Sequence, residues 1–253
     1  MSDLVTLQRS ERHSDIAVVT LNSPQRRNAL SRALLHQLLE RLEVAAADDR
    51  VKGVLLTSSG RVFCSGADLV EASEHGMEES SRLIVEVQRA LVALPVPVVA
   101  KVVGPVRAGG IGLLTASDIV VVADEATFAL TEARFGLAPA AVSATVLPTL
   151  SRRAAALAFL TARTHDGPSA AAAGLATMSV PATDVDATVE GVLAEISACS
   201  RQGLTQSKAL LSGRLLRHID EHGQQLATTS STLFASTEAR ARMKRFLATT
   251  SAG

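Results

Sequence analysis

An α/β core followed by a mostly helical C-terminal portion is the fold class this sequence predicts. Three observations carry it. Strand-like apolar runs alternate with helix-like stretches up to about Ser143, and Ala-rich helical patterns dominate after it. Within the first regime, two glycine-containing loops each turn a strand into a helix start: Ser58 to Leu69 and Gly104 to Leu113.

Taken in order, a short strand near Leu4 to Leu7 precedes a clear one over Asp15 to Leu21, where apolar and polar residues alternate. Asn22-Ser23-Pro24-Gln25 reads as a turn. Ser31 then caps a helix whose apolar positions are Leu34, Leu35, Leu38, Leu39 and Leu42. Gly53 to Thr57 is a strand, Glu78 to Leu94 a helix, Val98 to Val103 a strand and Gly109 to Ala116 a short helix. Ile119 to Ala123 and Thr127 to Leu130 are further strands. Beyond Ser143 helices are expected over about 151–162, 169–173, 185–199, 204–231 and 236–248. The division is drawn as a core over residues 1–195 and a helical region over 196–253.

Composition narrows the function. With 253 residues the chain can bury a full core. Lysine plus arginine balances aspartate plus glutamate at 25 each, which argues against a nucleic-acid partner. Tyr and Trp are absent, so base-stacking platforms are not expected either. Two cysteines, Cys64 and Cys199, fit a reduced compartment, and neither a secretory leader nor a membrane span is legible. A cytoplasmic protein is expected.

The chemistry lies in the two loops. Each ends a buried strand with small residues and leaves backbone N–H groups without a partner. Two such donors from separate loops suit an enolate or oxyanion, and Glu132 downstream supplies a lone carboxylate to move a proton. Other patterns read as ordinary structure. Cys64 has no histidine partner nearby and is expected to be packing. His218-Ile219-Asp220-Glu221-His222 matches a zinc-protease spacing formally, yet lies in an amphipathic helix and is read as a solvated face, with no metal site expected. Asp68 is read first as a helix cap, and Asp118 as structural.

Phe63-Cys64-Ser65-Gly66-Ala67-Asp68-Leu69, the Gly104 to Gly112 loop and the Glu-x-x-x-Gly-Leu-x-Pro run from Glu132 to Pro139 resemble the crotonase superfamily of enoyl-CoA hydratases and isomerases. Arg27-Asn28-Ala29-Leu30, Ala116-Ser117-Asp118-Ile119 and the stretch from Phe234 to Leu247 extend the resemblance over nearly the whole chain. It implies a spiral of ββα turns with C-terminal helices that assemble a homotrimer or a dimer of trimers. It also implies a coenzyme A thioester as substrate, with no separate cofactor.

Carried over by residue, the oxyanion donors are the backbone N–H groups of Ala67 and Gly109, and Glu132 is the acid/base. Arg26, Arg27, Ala29, Ser65, Asp68 and Leu69 surround the CoA adenine. Gly110 joins the substrate contacts, and Lys208 is a candidate for the CoA phosphates. Family hydratases hold a water between two glutamates. The second maps onto Glu132 and the first onto Gly112, where an introduced glutamate is expected either to face the water site or to clash, if Gly112 is required by close packing against the neighbouring strand. Hydration of a 2-enoyl-CoA is the leading reading. A Δ3–Δ2 enoyl-CoA isomerase working with one glutamate, and a non-catalytic acyl-CoA-binding protein of the same fold, are the alternatives.

Overall fold

Strand β1 (Val5–Arg9) runs antiparallel to β2 (Ile16–Leu21), with Val5 opposite Leu21 and Leu7 opposite Val19. The computed structural model describes residues 3–250. A 3-10 turn (Pro24–Arg26) leads into helix α1 (Arg32–Ala47). The Ser31 hydroxyl caps that helix by accepting from the Leu34 N–H at 3.3 Å, as its sequence position predicts. Leu34, Leu35, Leu38 and Leu42 form the buried stripe of α1.

Strand β3 (Gly53–Ser58) is followed by helices α2 (Leu69–His75) and α3 (Glu78–Ala93), then by β4 (Val98–Val102). Next come β5 (Val106–Arg107), α4 (Gly109–Thr115), β6 (Ile119–Ala123), β7 (Phe128–Ala129) and a 3-10 turn over Glu132–Phe135. Helices α5 (Ala140–Thr149), α6 (Arg152–Thr161) and α7 (Gly167–Ala173) precede β8 (Met178–Val180). The chain continues through α8 (Val185–Ala198), α9 (Arg201–Ala235) and α10 (Thr237–Thr250).

The main sheet has the order β1-β2-β3-β4-β6-β8, parallel from β2 onward. Its inner strands are buried on both faces, which is why Val98-Val99-Ala100 and Val120-Val121-Val122 read as unbroken apolar runs. A second, small sheet pairs β5 with β7 and is extended by bridges between Leu30 and Ala67 and between Cys64 and Val106. This second layer carries the loops of interest. The mixed, mostly parallel sheet with helices after it agrees with the predicted fold class.

Four elements escaped the sequence pattern. Helix α5 is buried almost all round (Ala140 to Val146) and so has no polar face to mark its period. Strands β5 and β8 have two and three residues, too few for alternation to show. Helix α2 has seven residues, though its cap Asp68 was legible. The expected boundary at 195/196 falls inside α8. Helix α9 packs along α3 and α5. Helix α10 is held differently: Leu137, Ala239 and Met243 form a small apolar cluster of their own, flanked by Leu69, Phe135, Leu233 and Phe234. No helix among the described residues is long and apolar enough to cross a membrane.

Candidate active site

Asn28 builds the first loop. It is buried, adopts a left-handed φ of 51° that asparagine tolerates, and accepts from Ser23 N–H while donating to the carbonyls of Ser59 and Val62. The chain on either side of it is thereby laid beside residues 64–67: Ser65 N–H donates to Arg27 O and Leu30 N–H to Gly66 O. Gly66 has φ +90°, and a Cβ there would come 2.8 Å from the Cβ of Ala108, so the two loops touch at a point only glycine permits. Asp68 then caps α2 through the N–H groups of Val70 and Glu71, and pairs with Arg26 at 2.8 Å.

The second loop bends at Ala108, whose φ of 48° and ψ of −118° are strained for a residue with a Cβ. Hydrogen bonds from Ala108 N–H to Ala129 O and from Ile111 N–H to Ala108 O hold the bend. It delivers Gly109 as the first residue of α4. A Cβ on Gly109 would lie 2.7 Å from Leu30 Cδ1 and 3.8 Å from the Ala67 nitrogen. The amides of Ala67 and Gly109 are therefore near neighbours, and among the described residues neither N–H reaches a protein acceptor.

Glu132 opens the 3-10 turn after β7, and Gly136 closes it with φ 72°. The carboxylate is buried, and its Oε2 has no hydrogen-bond partner among the described residues. Burial pushes its pKa up to about 7, a value at which one group can both take and return a proton near neutral pH. Glu132, Ala67 and Gly109 line a single cavity of about 700 Å³. Its apolar wall includes Met77, Ile84, Val142 and Phe234. A buried acid/base and two unpaired amide donors facing one apolar space can stabilise an enolate oxygen and move a proton one or two carbons away.

Arg26, Arg27, Ala29, Ser65, Asp68 and Leu69 also line this cavity. Two expected contacts do not. Gly110 is packed into the wall behind: a Cβ on it would lie 2.8 Å from Cys64 Cβ and 2.9 Å from Val106 Cγ1. Lys208 is buried away from the cavity, and its ammonium donates to Leu91 O and Val96 O, each at 3.0 Å, and to Asp118 Oδ2 at 2.8 Å. Asp118 in turn accepts from the Val98 N–H. Lys208 is thus a clamp between α9, the end of α3 and the start of β4. Lys208→Met is expected to cost roughly 3–5 kcal/mol by leaving the Asp118 carboxylate without its cation and two carbonyls unpaired. An unchanged urea midpoint would count against the clamp.

At position 112 the close-packing alternative holds, although the neighbours are side chains of α3 and α5 and not a strand. Gly112 does not border the cavity, and a Cβ there would sit 3.0 Å from Gln88 Oε1 and from Val142 Cγ1, so a side chain is directed into packed protein. Cys64 is fully buried and its thiol is pushed up to about 12, in keeping with a packing role. His218 and His222 stack at 4.6 Å on α9.

The sequence reading missed three parts of the lining. Arg107 and Arg134 both border the cavity. Arg107 is braced by Thr127, through its carbonyl at 2.6 Å and its hydroxyl at 2.9 Å, and burial and the neighbouring Arg134 both lower its pKa. Phe246 and Leu247 close the cavity from α10, with the Phe246 ring edge-on to Phe135 at 5.2 Å. Arg107 precedes Gly109 by two residues and Arg134 follows Glu132 by two, so basic residues flanking the candidate catalytic positions were an available signal.

Comparison with known proteins decides the family. The enoyl-CoA hydratase/isomerase family matches residues 11–251. The chain belongs to the enoyl-CoA hydratase/isomerase family. A relative from Thermus thermophilus whose name places it among enoyl-CoA hydratases is 35% identical over 202 residues, covering 78% of this chain and 80% of its own. Among solved structures, an enoyl-CoA hydratase from Mycobacterium avium superposes with a TM-score of 0.90 at 42% identity, covering 98% of both chains. An enoyl-CoA hydratase from Mycobacterium avium subsp. paratuberculosis K-10 gives 0.87 at 28% identity, over 96% of this chain and 99% of that one. The crotonase resemblance is thereby shown over the length of the chain.

Proposed function

We propose that this family member hydrates a 2-enoyl-CoA, with the amides of Ala67 and Gly109 holding the thioester oxygen and Glu132 moving the proton. The supporting observation is the unpartnered, buried Glu132 carboxylate in the same cavity as the two unpaired amides. Water adds its oxygen to C3 and gives a proton to Glu132. The electron pair shifts to the thioester oxygen, and Glu132 returns the proton to C2. At the transition state the growing negative charge meets two fixed donors that need no reorganisation, each worth about 3 kcal/mol. The CoA end is placed against Arg26, Arg27, Ala29, Ser65, Asp68 and Leu69.

A second reading is Δ3–Δ2 isomerisation, in which Glu132 takes a proton from C2 and delivers it to C4. The filled space beside Gly112 favours it, since no second carboxylate is available there to hold a water. Crotonyl-CoA and a 3-enoyl-CoA, each followed by absorbance, separate the readings, and calorimetry with acetyl-CoA tests binding on its own. Turnover of crotonyl-CoA is expected. Conversion of the 3-enoyl-CoA alone would establish the isomerase, binding without turnover an acyl-CoA-binding protein, and no binding at millimolar thioester would remove all three.

A further inference from the structure

Two arginines at the cavity carry positive charge that the reaction as described does not use. Arg107 ends β5 and Arg134 lies in the 3-10 turn, and both border the same cavity as Glu132. Among the described residues their hydrogen bonds go to neutral oxygens. Arg107 donates to Val106 O at 2.9 Å, to Thr127 O at 2.6 Å and to the Thr127 hydroxyl at 2.9 Å. Arg134 donates to Ala162 O at 2.8 Å. Neither guanidinium pairs with a carboxylate among the described residues, whereas Arg26 on the first loop has Asp68 at 2.8 Å.

Like charges held side by side carry a cost that an anion between them removes. Arg107 shows that cost, since burial and the neighbouring Arg134 both lower its pKa. Glu132 is not the anion that answers them. Its pKa is raised by burial, and no arginine holds it down. Asp68, the other acid of the lining, is taken up by Arg26 and by capping α2. The two arginines also stand at the reacting end of the cavity. Arg107 comes two residues before Gly109 and Arg134 two residues after Glu132, so both leave the segments that hold the thioester and the proton. Arg26 and Arg27, placed against CoA, come from the separate loop before α1.

We propose that Arg107 and Arg134 bind a carboxylate at the far end of the acyl group, so that the preferred substrates are CoA monothioesters of unsaturated dicarboxylic acids. The inference rests on the enoyl-CoA reading above and deepens it by naming the acyl class. A guanidinium presents a planar fork of donors that matches the two oxygens of a carboxylate, and the resulting bonds are charge-assisted. Arg107 is fixed for this by its Thr127 brace. Arg134, exposed and tied to one carbonyl, can adjust to the length of the chain.

The test uses saturated thioesters, which undergo neither hydration nor isomerisation, so that binding is read apart from turnover. Calorimetry compares succinyl-, glutaryl- and adipyl-CoA with butyryl-CoA, hexanoyl-CoA and free CoA, in the parent, Arg134→Gln and Arg107→Gln. At least one dicarboxylic thioester is expected to bind the parent about tenfold or more tightly than the alkyl thioesters do. Each substitution should shrink that preference by about fivefold or more. Arg134→Gln breaks a single carbonyl bond, whereas Arg107→Gln also unties Thr127, so thermal melting is recorded for both. The proposal is overturned if the alkyl thioesters bind as tightly as every dicarboxylic one, or if the preference survives in a folded variant of either arginine. A loss of free CoA affinity equal to the loss for the dicarboxylic thioester would assign the arginines to a CoA phosphate, and overturns it too. Turnover of crotonyl-CoA and a 3-enoyl-CoA by the parent keeps the two readings apart. A parent that converts neither overturns the enoyl-CoA reading, while the binding preference still decides whether the cavity receives a carboxylate.

Discussion

Glu132→Gln is expected to lower kcat/KM by about 10²–10⁴-fold while acyl-CoA still binds, because the amide keeps the shape of the carboxylate and loses its basicity. In the parent, Glu132 begins either reaction as a base. Its kcat/KM should therefore climb with pH and level off above about 7, the value to which burial raises this carboxyl. The same burial carries a stability signature of the opposite sense. A folded-state pKa above the unfolded value of about 4.5 means that the folded protein holds its proton more tightly. The stability this gives is fully present below the unfolded pKa and is lost as pH rises through about 7. Glutamine cannot ionise, so the variant should be more stable than the parent at pH 8, by on the order of 3 kcal/mol, and similar to it near pH 4. Full parental turnover in Glu132→Gln would refute the mechanism, and a Tm difference that ignores pH would refute the burial argument.

Ala67→Pro removes one oxyanion donor and no structural hydrogen bond, since among the described residues the Ala67 N–H has no protein acceptor. A loss of about 10²–10³-fold in kcat is expected. Proline also restricts the residue before it, here Gly66 at φ +90°, so some loop adjustment accompanies the change. Circular dichroism and CoA binding measured alongside separate the two effects. A folded Ala67→Pro protein that still binds CoA and turns over at the parental rate would show that this amide does not carry the oxyanion.

Features set by local chain chemistry were readable in the sequence, and features set by distant partners were not. Ser31, three residues before the Leu34 N–H that donates to its hydroxyl, announced the start of α1. The buried strands announced themselves through unbroken runs of Val and Ala. The two loops were legible because glycine and alanine in the link between a buried strand and a helix start let the backbone turn sharply and leave its amides uncovered. Lys208 shows the limit. As a lone cation on a helix it suggested a phosphate contact, whereas its acceptors lie 90 to 117 positions away in the chain, where no local pattern points. Gly112 shows the same limit in reverse. Its lack of a side chain was visible, but the Gln88 carboxamide filling that space comes from another helix and is placed only by tertiary packing. Helix α5 was illegible for a different reason, since a segment buried nearly all round has no polar stripe to set its period.

Because α10 is fastened by its own small cluster of Leu137, Ala239 and Met243, outside the main core, it can detach at a smaller free-energy cost than the sheet can unravel. Its Phe246 and Leu247 wall the cavity, and of its cluster partners Phe135 ends the turn that Glu132 opens and Leu137 follows it. Catalytic competence and foldedness are therefore separable properties of this chain. In rising urea, acyl-CoA binding should vanish first, leaving an inert protein whose far-ultraviolet dichroism is still largely native, and coincident loss of both signals would show that α10 and the core unfold together. Ageing, mild heating or clipping near Ser236 would then silence the molecule long before it becomes recognisably unfolded, so a sample judged by its spectrum alone overstates how much of it can still work.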